Sequence, residues 1–298
     1  MSGSLDSSLD RYVQAGMIAV KLRPLAEKLV KSGASVAEIC ESIEEETRRL
    51  GGKPAFPVNV CVGSVAAHFT APPEGGHVIS DGDLVKVDFG AMVDGFIVDT
   101  AVSVNLSPMD SGIVRAAGDC LEAGIASARA GVEVAKVGAA IQRTAESAGF
   151  KVISNLTGHE ISRHNLHAGG VVPNVERGYR GKVQAGKVYA IEPFLTYSYG
   201  AGFVVESSPS VIFRLARSRP RDPAQAALHS KIAGSFGTLP FAERWLKLSG
   251  EEKEAFKRLV DAGCVSKYPQ LVEKNGAAVA QAEHTVAVLP EKTIVLTR

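Results

Sequence analysis

LVKVDFGAMVDGFIVDTAVSV, residues 84–104, reads as two strands facing each other across a tight turn. Val, Ile and Phe dominate both halves, and Asp94-Gly95 between them is the strongest short hairpin signal. With these two as the loop, Val93 pairs with Phe96, Asp88 faces Ala101 and Gly90 faces Asp99. Side chains alternate along a strand, so Asp88, Gly90, Asp99 and Ala101 share one face. The two carboxylates are then diagonal neighbours, with Cα atoms about 7–8 Å apart. Strands are depleted in Asp, and burying a carboxylate is costly unless something compensates it. Gly90 and Ala101 are small and leave room. In a register without a bulge, two carboxylates converging over a cleared patch predict a cation between them.

The chain has 298 residues, enough for one large domain or two ordinary ones. With 45% hydrophobic and 22% charged residues, its composition is that of a soluble globular protein. The net charge of +1 gives no electrostatic case for nucleic acid or acidic membranes. MSGSLDSSLDRYVQAG has no charged start followed by an apolar run, so a secretory signal is not expected. No apolar stretch reaches the roughly 18 residues that a membrane span needs. Cys40, Cys61, Cys120 and Cys264 form no CxxC pair. They fit buried, reduced thiols in a cytosol better than disulfides or a thiolate metal site.

Outward from the hairpin, the apolar periodicity switches between helix and strand. Residues 9–30 predict a helix kinked at Pro24. SVAEICESIEEETRRLGG is a second helix, with Ser35 and Glu38 as a capping box and Val36, Ile39, Cys40 and Ile43 as its stripe. AFPVNVCVGSVAAHFT reads as strand. After the hairpin come two amphipathic helices, one with Ile113, Ala117, Cys120, Leu121 and Ile125 on one face, the other over 134–148. Residues 151–213 return to short strands. Residues 214–270 are basic at first and then helical, with a capping box at Ser249 and Glu252. The last segment is strand again. Strands in a first and a last block, with helices grouped, predict an α+β fold rather than a doubly wound sheet. Walker A, GxGxxG and GxSxG patterns are absent.

Besides the two aspartates, polar residues stand in apolar contexts at His68 (VAAHFT), His159 (TGHEIS), His167 (NLHAGG), Glu192 (VYAIEPF), Glu206 (VVESSP), Glu283 and His284 (QAEHTV). Singly, each has a plainer explanation. A lone His on an apolar segment is more often a satisfied core or surface residue than a ligand, and a lone Glu at a strand end is usually solvated. Glu160 and His164 read as ordinary solvated neighbours. Together, carboxylates with one or two histidines on strands describe an oxygen-rich site with a nitrogen ligand, suited to Mn, Fe, Co or Zn in a two-metal arrangement.

Across almost the whole chain, these motifs resemble the type 2 methionine aminopeptidases, metallopeptidases of the pita-bread fold. The family's ligand order Asp, Asp, His, Glu, Glu matches Asp88 in KVDFG, Asp99 in IVDTA, His159 in GHEI, Glu192 in AIEPF and Glu283 in AEHTV. The resemblance implies that Asp88 chelates one metal, that His159 and Glu192 hold the other, and that Asp99 and Glu283 bridge them. Glu206 is not among the family's ligands. His68 and His167 match the family's two non-ligand active-site histidines, and fumagillin-type inhibitors attack the one matching His68. Phe56 and Leu166 are the implied pocket residues, with Glu192 as the proton shuttle. Cys61 and Val62 depart from the family's wording at the pocket rim.

The resemblance implies a catalytic domain over 1–213 and 271–298, with 214–270 as the helical insertion that separates type 2 from type 1. It implies a cytoplasmic, monomeric enzyme that uses two divalent ions (Co, Mn, Fe or Zn) and metal-activated water. Its substrates would be the N-termini of nascent chains beginning with Met, with transient ribosome contact but no membrane or nucleic-acid partner. An X-Pro-cleaving pita-bread peptidase (prolidase or aminopeptidase P) and a non-enzymatic protein- or RNA-binding relative are the alternatives.

Overall fold

The computed structural model describes residues 5–109, 112–216, 218–220 and 222–298. Arg217 and Arg221, part of the basic opening of the 214–270 stretch, lie outside the described residues. Helix α1 (Leu5–Leu29) runs unbroken across Pro24. Its residues Tyr12, Ala15, Ile18, Ala19, Leu22 and Ala26 recur every three or four positions and are buried, the stripe by which a helix lies on a sheet. Gly16 is there for a steric reason: a Cβ would stand 2.1 Å from the Leu296 carbonyl oxygen. Helix α2 (Val36–Arg49) begins at the expected capping box and buries Val36, Ile39, Cys40 and Ile43.

Three short strands follow, β1 (Lys53–Pro54), β2 (Asn59–Val62) and β3 (Val65–Ala67). The apolar run at 55–70 is thus broken at Gly63-Ser64, where Gly63 turns the chain with φ of 59°. The hairpin strands are β4 (Leu84–Val93) and β5 (Phe96–Asn105). Their register is continuous from Leu84↔Asn105 to Val93↔Phe96, with no bulge. β4 is paired on both sides: β5 lies on one, while β1 and β2 share the other. Helices α3 (Ile113–Ser127) and α4 (Val134–Ser147) pack on each other.

The chain then lays down β6 (Lys151–Val152), β7 (Thr157–Ile161), β8 (Val171–Pro173), β9 (Lys187–Ile191), β10 (Phe194–Thr196) and β11 (Val204–Leu215). Between β11 and β13 (Val265–Glu273) come α5 (Pro223–Phe236), β12 (Phe241–Ala242), α6 (Glu243–Leu246) and α7 (Gly250–Asp261). The last strands are β14 (Val279–Gln281), β15 (His284–Val288) and β16 (Thr293–Val295). Three further sheets result, with orders β14-β10-β6, β12-β11-β13-β3 and β16-β15-β9-β7-β8. Every pairing among the described strands is antiparallel.

Two cores flank the centre. One joins α1 and α2 to the hairpin, and the other joins α3 and α4 to β9 and β15. An isolated bridge, Ala101↔Glu283, stitches the hairpin to the start of β15 between them. The α5–α7 group has its own core of Leu228, Ile232, Phe241, Phe256 and Leu259. It is fastened to α2 through Glu44, which accepts hydrogen bonds from the Arg244 guanidinium and, at 2.7 Å, from the Trp245 indole N–H.

Candidate metal centre and active site

The hairpin places Asp88 opposite Ala101 and Gly90 opposite Asp99, as its sequence predicts. The space over Gly90 is occupied by the Phe56 ring: a Cβ at Gly90 would lie 2.5 Å from Phe56 Cε1. Three other strands bring the remaining groups. His159 stands on β7, whose close approach to β9 depends on Gly158, since a Cβ there would lie 2.2 Å from the Ala190 carbonyl oxygen. Glu192 directly follows β9, and its carbonyl accepts from Asn174 Nδ2 at 3.0 Å. Glu283 directly precedes β15.

These five side chains meet. His159 Nε2 is 3.4 Å from Glu192 Oε1 and 3.6 Å from Asp99 Oδ2. Ligand atoms of Asp99, His159 and Glu283 all lie within 4.8 Å of one another. The buried carboxylate oxygens Asp88 Oδ1, Asp99 Oδ1 and Glu283 Oε1 have no hydrogen-bond partner. Buried acceptors are nearly always satisfied, so a knot of unpaired ones calls for a cation. Four carboxylates and an imidazole fit divalent ions of the Mn, Fe, Co or Zn kind.

Electrostatics agree. Burial, and then the charge of Asp99, holds the Asp88 carboxyl well above the usual range. Burial pushes Asp99 up to about 7. Glu192 and Glu283 are raised by burial and by the neighbouring aspartates. Burial lowers His159 to about 4, leaving a neutral ring able to ligate. Without a cation, the cluster holds protons in place of metal.

A cavity of about 360 Å³ opens over this cluster, lined by Phe56, Leu166, His68, His167, Asn59 and Tyr268, among others. The His167 ring lies 4.4 Å from that of His159, and the His68 ring 5.3 Å from that of Tyr268. His167 is open to the cavity, yet protein crowds it closely enough to disfavour its charged form, with His159, His68 and Arg214 adding to the effect. Burial likewise lowers His68 to about 4. His68 has φ of 66°, a left-handed conformation unusual for a non-glycine residue and often found at functional sites. Its Nδ1 is 3.2 Å from the Pro269 carbonyl, which can only accept. Nδ1 therefore carries the proton, and Nε2 has a free lone pair.

The remaining polar residues singled out in the sequence fall elsewhere. Glu206 is exposed on β11 and does not line the cavity. His284 is buried with Nδ1 2.8 Å from Thr297 Oγ1. Glu160 is not solvated: its side chain is 13% exposed and accepts from Lys187 Nζ at 2.7 Å. His164 is exposed but packs on the hairpin turn, its Nε2 2.2 Å from where a Gly95 Cβ would be.

Four supporting residues escaped the sequence. Gln281 Nε2 donates to Glu283 Oε2 at 3.2 Å and to Asp88 Oδ2 at 3.4 Å. Thr285 Oγ1 accepts from the Asp99 N–H and donates to the Asp99 carbonyl, both at 2.7 Å. Arg23, on α1, donates to Thr100 Oγ1 and to the carbonyls of Ala101 and Glu283. Tyr268 forms part of the cavity wall. QAEHT holds the only available hint, a polar run inside a strand-like segment.

Known proteins resemble this chain over nearly its whole length. Residues 10–214 match the model of metallopeptidase family M24. The chain belongs to that family. A relative named methionine aminopeptidase from Pyrococcus horikoshii is 43% identical over 97% of this chain and 99% of its own length. One of the same name from Methanothermobacter thermautotrophicus is 40% identical over 97% of this chain and 98% of its own. Among solved structures, methionine aminopeptidase from Thermotoga maritima superposes with a TM-score of 0.71 at 23% identity, covering 98% of this chain and 97% of that one. At that identity it speaks to fold alone, and the fold of this M24 peptidase is α+β, of the pita-bread kind. Among the described residues, no helix is long and apolar enough to cross a membrane.

Proposed function

We propose that this M24 peptidase is a methionine aminopeptidase that removes the initiator methionine from nascent chains. Near-complete alignment with relatives of that name favours this over an X-Pro peptidase or a non-enzymatic relative. The observation that carries the chemistry is the knot of unpaired buried carboxylate oxygens at Asp88, Asp99 and Glu283, beside which His159 Nε2 stands 3.6 Å from Asp99. On this reading Asp88, Asp99, His159, Glu192 and Glu283 hold two divalent ions, with Co, Mn, Fe and Zn as candidates. When bound, such ions supply Lewis acidity and lower the pKa of water to about 7.

The chain's own residues do the rest. Glu192 lines the cavity with a carboxyl raised by burial, so it can take a proton from the attacking water and pass it to the leaving amine nitrogen. Neutral His167 donates its ring N–H to the scissile carbonyl oxygen as charge develops there. His68 faces the substrate with Nε2 unprotonated, which also suits it to open an epoxide. Phe56 and Leu166, both buried, form an apolar wall for the methionine side chain. Residues 1–213 with 271–298 form the catalytic domain and 214–270 the insertion. Nascent N-termini are the partners, met in the cytoplasm through transient contact with the ribosome, and the enzyme acts as a monomer.

The test is release of free methionine from Met-Ala-Ser by the purified protein with Mn, Co or Fe added, beside an Ala-Pro peptide. Metal-dependent release from Met-Ala-Ser alone is expected. Cleavage of Ala-Pro instead would move the chain to the X-Pro peptidases, and no cleavage with any metal would favour the binding-protein reading.

A further inference from the structure

The sheet β12-β11-β13-β3 has two different faces. On one, Phe213 and Val265 pack into the α5–α7 core with Leu228, Phe256 and Leu259. On the other, Ile212 and Tyr268 are directly opposed across β11 and β13, and both line the catalytic cavity. Alternation puts Arg214, two residues past Ile212, on the cavity face as well. Its guanidinium carbon is 5.6 Å from the centroid of the Tyr268 ring, which lies 6.4 Å from the His167 ring. The cation is therefore at most about 12 Å from His167. Arg214 is exposed, and none of the ion pairs among the described residues includes it. Its charge still contributes to keeping His167 neutral. This is a cation without a carboxylate partner, held by an aromatic face at the side of the catalytic cavity.

We propose that Arg214 is a specificity residue that selects polypeptides with an acidic side chain at their third position. The inference rests on the aminopeptidase reading, which puts the scissile carbonyl at His167. Beyond that carbonyl an extended chain covers about 3.3–3.6 Å per residue. Two residues on, with the few further ångströms of a Glu side chain, a carboxylate comes within reach of the Arg214 guanidinium. The fork of that group suits a carboxylate, and its contact with Tyr268 limits the side-chain freedom lost on pairing. Because the pair is exposed, its effect is modest and sensitive to salt.

The experiment compares kcat/KM for two amidated peptides, Met-Ala-Glu-Ala and Met-Ala-Gln-Ala, which differ only in charge at the third residue. Amidation removes the terminal carboxylate as a second source of negative charge. The Glu peptide should be favoured by about 3- to 5-fold at low ionic strength, falling towards parity in about 1 M salt. Arg214→Gln should bring the ratio to about 1, Arg214→Lys should keep part of the preference, and Arg214→Glu should invert it. A ratio near 1 in the unsubstituted enzyme, or a preference that survives Arg214→Gln, would overturn the proposal. Equal slowing of both peptides would make Arg214 a mere support for Tyr268 and overturn it too. Methionine release from the Gln peptide reports on the aminopeptidase reading by itself, so the two failures cannot be confused.

Discussion

Two regions of the molecule bury carboxylates, and they satisfy them in opposite ways. Where the α5–α7 group meets α2, Glu44 is 2% exposed and has the Arg244 guanidinium, the Trp245 indole N–H and the Val58 N–H around it. Glu273, at 1%, likewise accepts backbone N–H groups from Ala201, Gly202, Asn275 and Ala277. At the centre, Asp99 and Glu283 are as deeply buried, at 4% and 1%. Glu283 receives one neutral donor, Gln281 Nε2, while Asp99 Oδ1 and Glu283 Oε1 have none, and the nearby cation Arg23 gives its hydrogen bonds to a hydroxyl and two backbone carbonyls. The fold supplies its own hydrogen-bond donors where carboxylates are structural. Where it withholds them, the counter-charge has to come from outside.

The largest effect that separates the two regions is on chemistry. Asp99→Ala should lower methionine release by on the order of 10³-fold or more, since the Lewis acid it helps hold is worth several kcal/mol. Isothermal titration with Co or Mn should show metal binding lost. Full activity in that variant would break the two-metal reading. Next comes Glu44→Ala, which strands the buried Arg244 and should cost roughly 3–5 kcal/mol in denaturant unfolding, with metal affinity of the folded protein retained.

A subtler contrast lies in the metal-free protein, where neutralising each group should have opposite signs. Asp99 binds its proton up to about 7 when folded, against an ordinary value of 3.8. The folded state thus holds more protons than the unfolded chain between those values, and this group makes stability fall as pH rises through that window. His68 and His159, lowered to about 4 from 6.5, act the other way over about pH 4–6.5. Above 6.5 the raised carboxylates dominate, until the buried Lys86, lowered to about 8, begins to oppose them. Metal-free protein should lose stability from pH 6.5 to 8, and the rise in Tm on adding metal should be larger at pH 8 than at pH 6. At pH 8, Asp99→Asn should stabilise the metal-free chain by on the order of 2 kcal/mol, whereas Glu44→Gln should destabilise it. If both lower Tm, the central carboxylates are compensated in some other way. The smallest expected effect is that of Gln281→Ala, about 10-fold in metal affinity through loss of the amide that orients Asp88 and Glu283. An unchanged affinity would make Gln281 a spectator.

The hairpin was legible because everything that fixes it is local. Asp94-Gly95 sets the turn, alternation sets the faces, and ten paired residues follow without a slip. The capping boxes at Ser35 and Ser249 were legible for the same reason. The site as a whole was not legible from residue types alone. His68, His159, Glu192, Glu206, Glu283 and His284 stand in similar apolar company, and only the family resemblance ordered them. Glu44 sits in EEET, a run that reads as a solvated face, and its burial depends on Arg244 two hundred residues away.

Local interactions were enough to read most of the elements, the facing of Asp88 and Asp99, and the need of two strand carboxylates for compensation. Turns, caps and periodicity act over a few residues, so they can be read in order along the chain. Which distant groups answer that need is set by long-range packing. Glu283 and His284 are neighbours in sequence, yet one joins the cluster and the other turns away to Thr297. Arg214 stands beside Tyr268 only because β11 pairs with β13. Which face of a strand meets a cavity, a core or water is settled by how sheets and helices pack against one another. That packing depends on contacts between residues hundreds of positions apart.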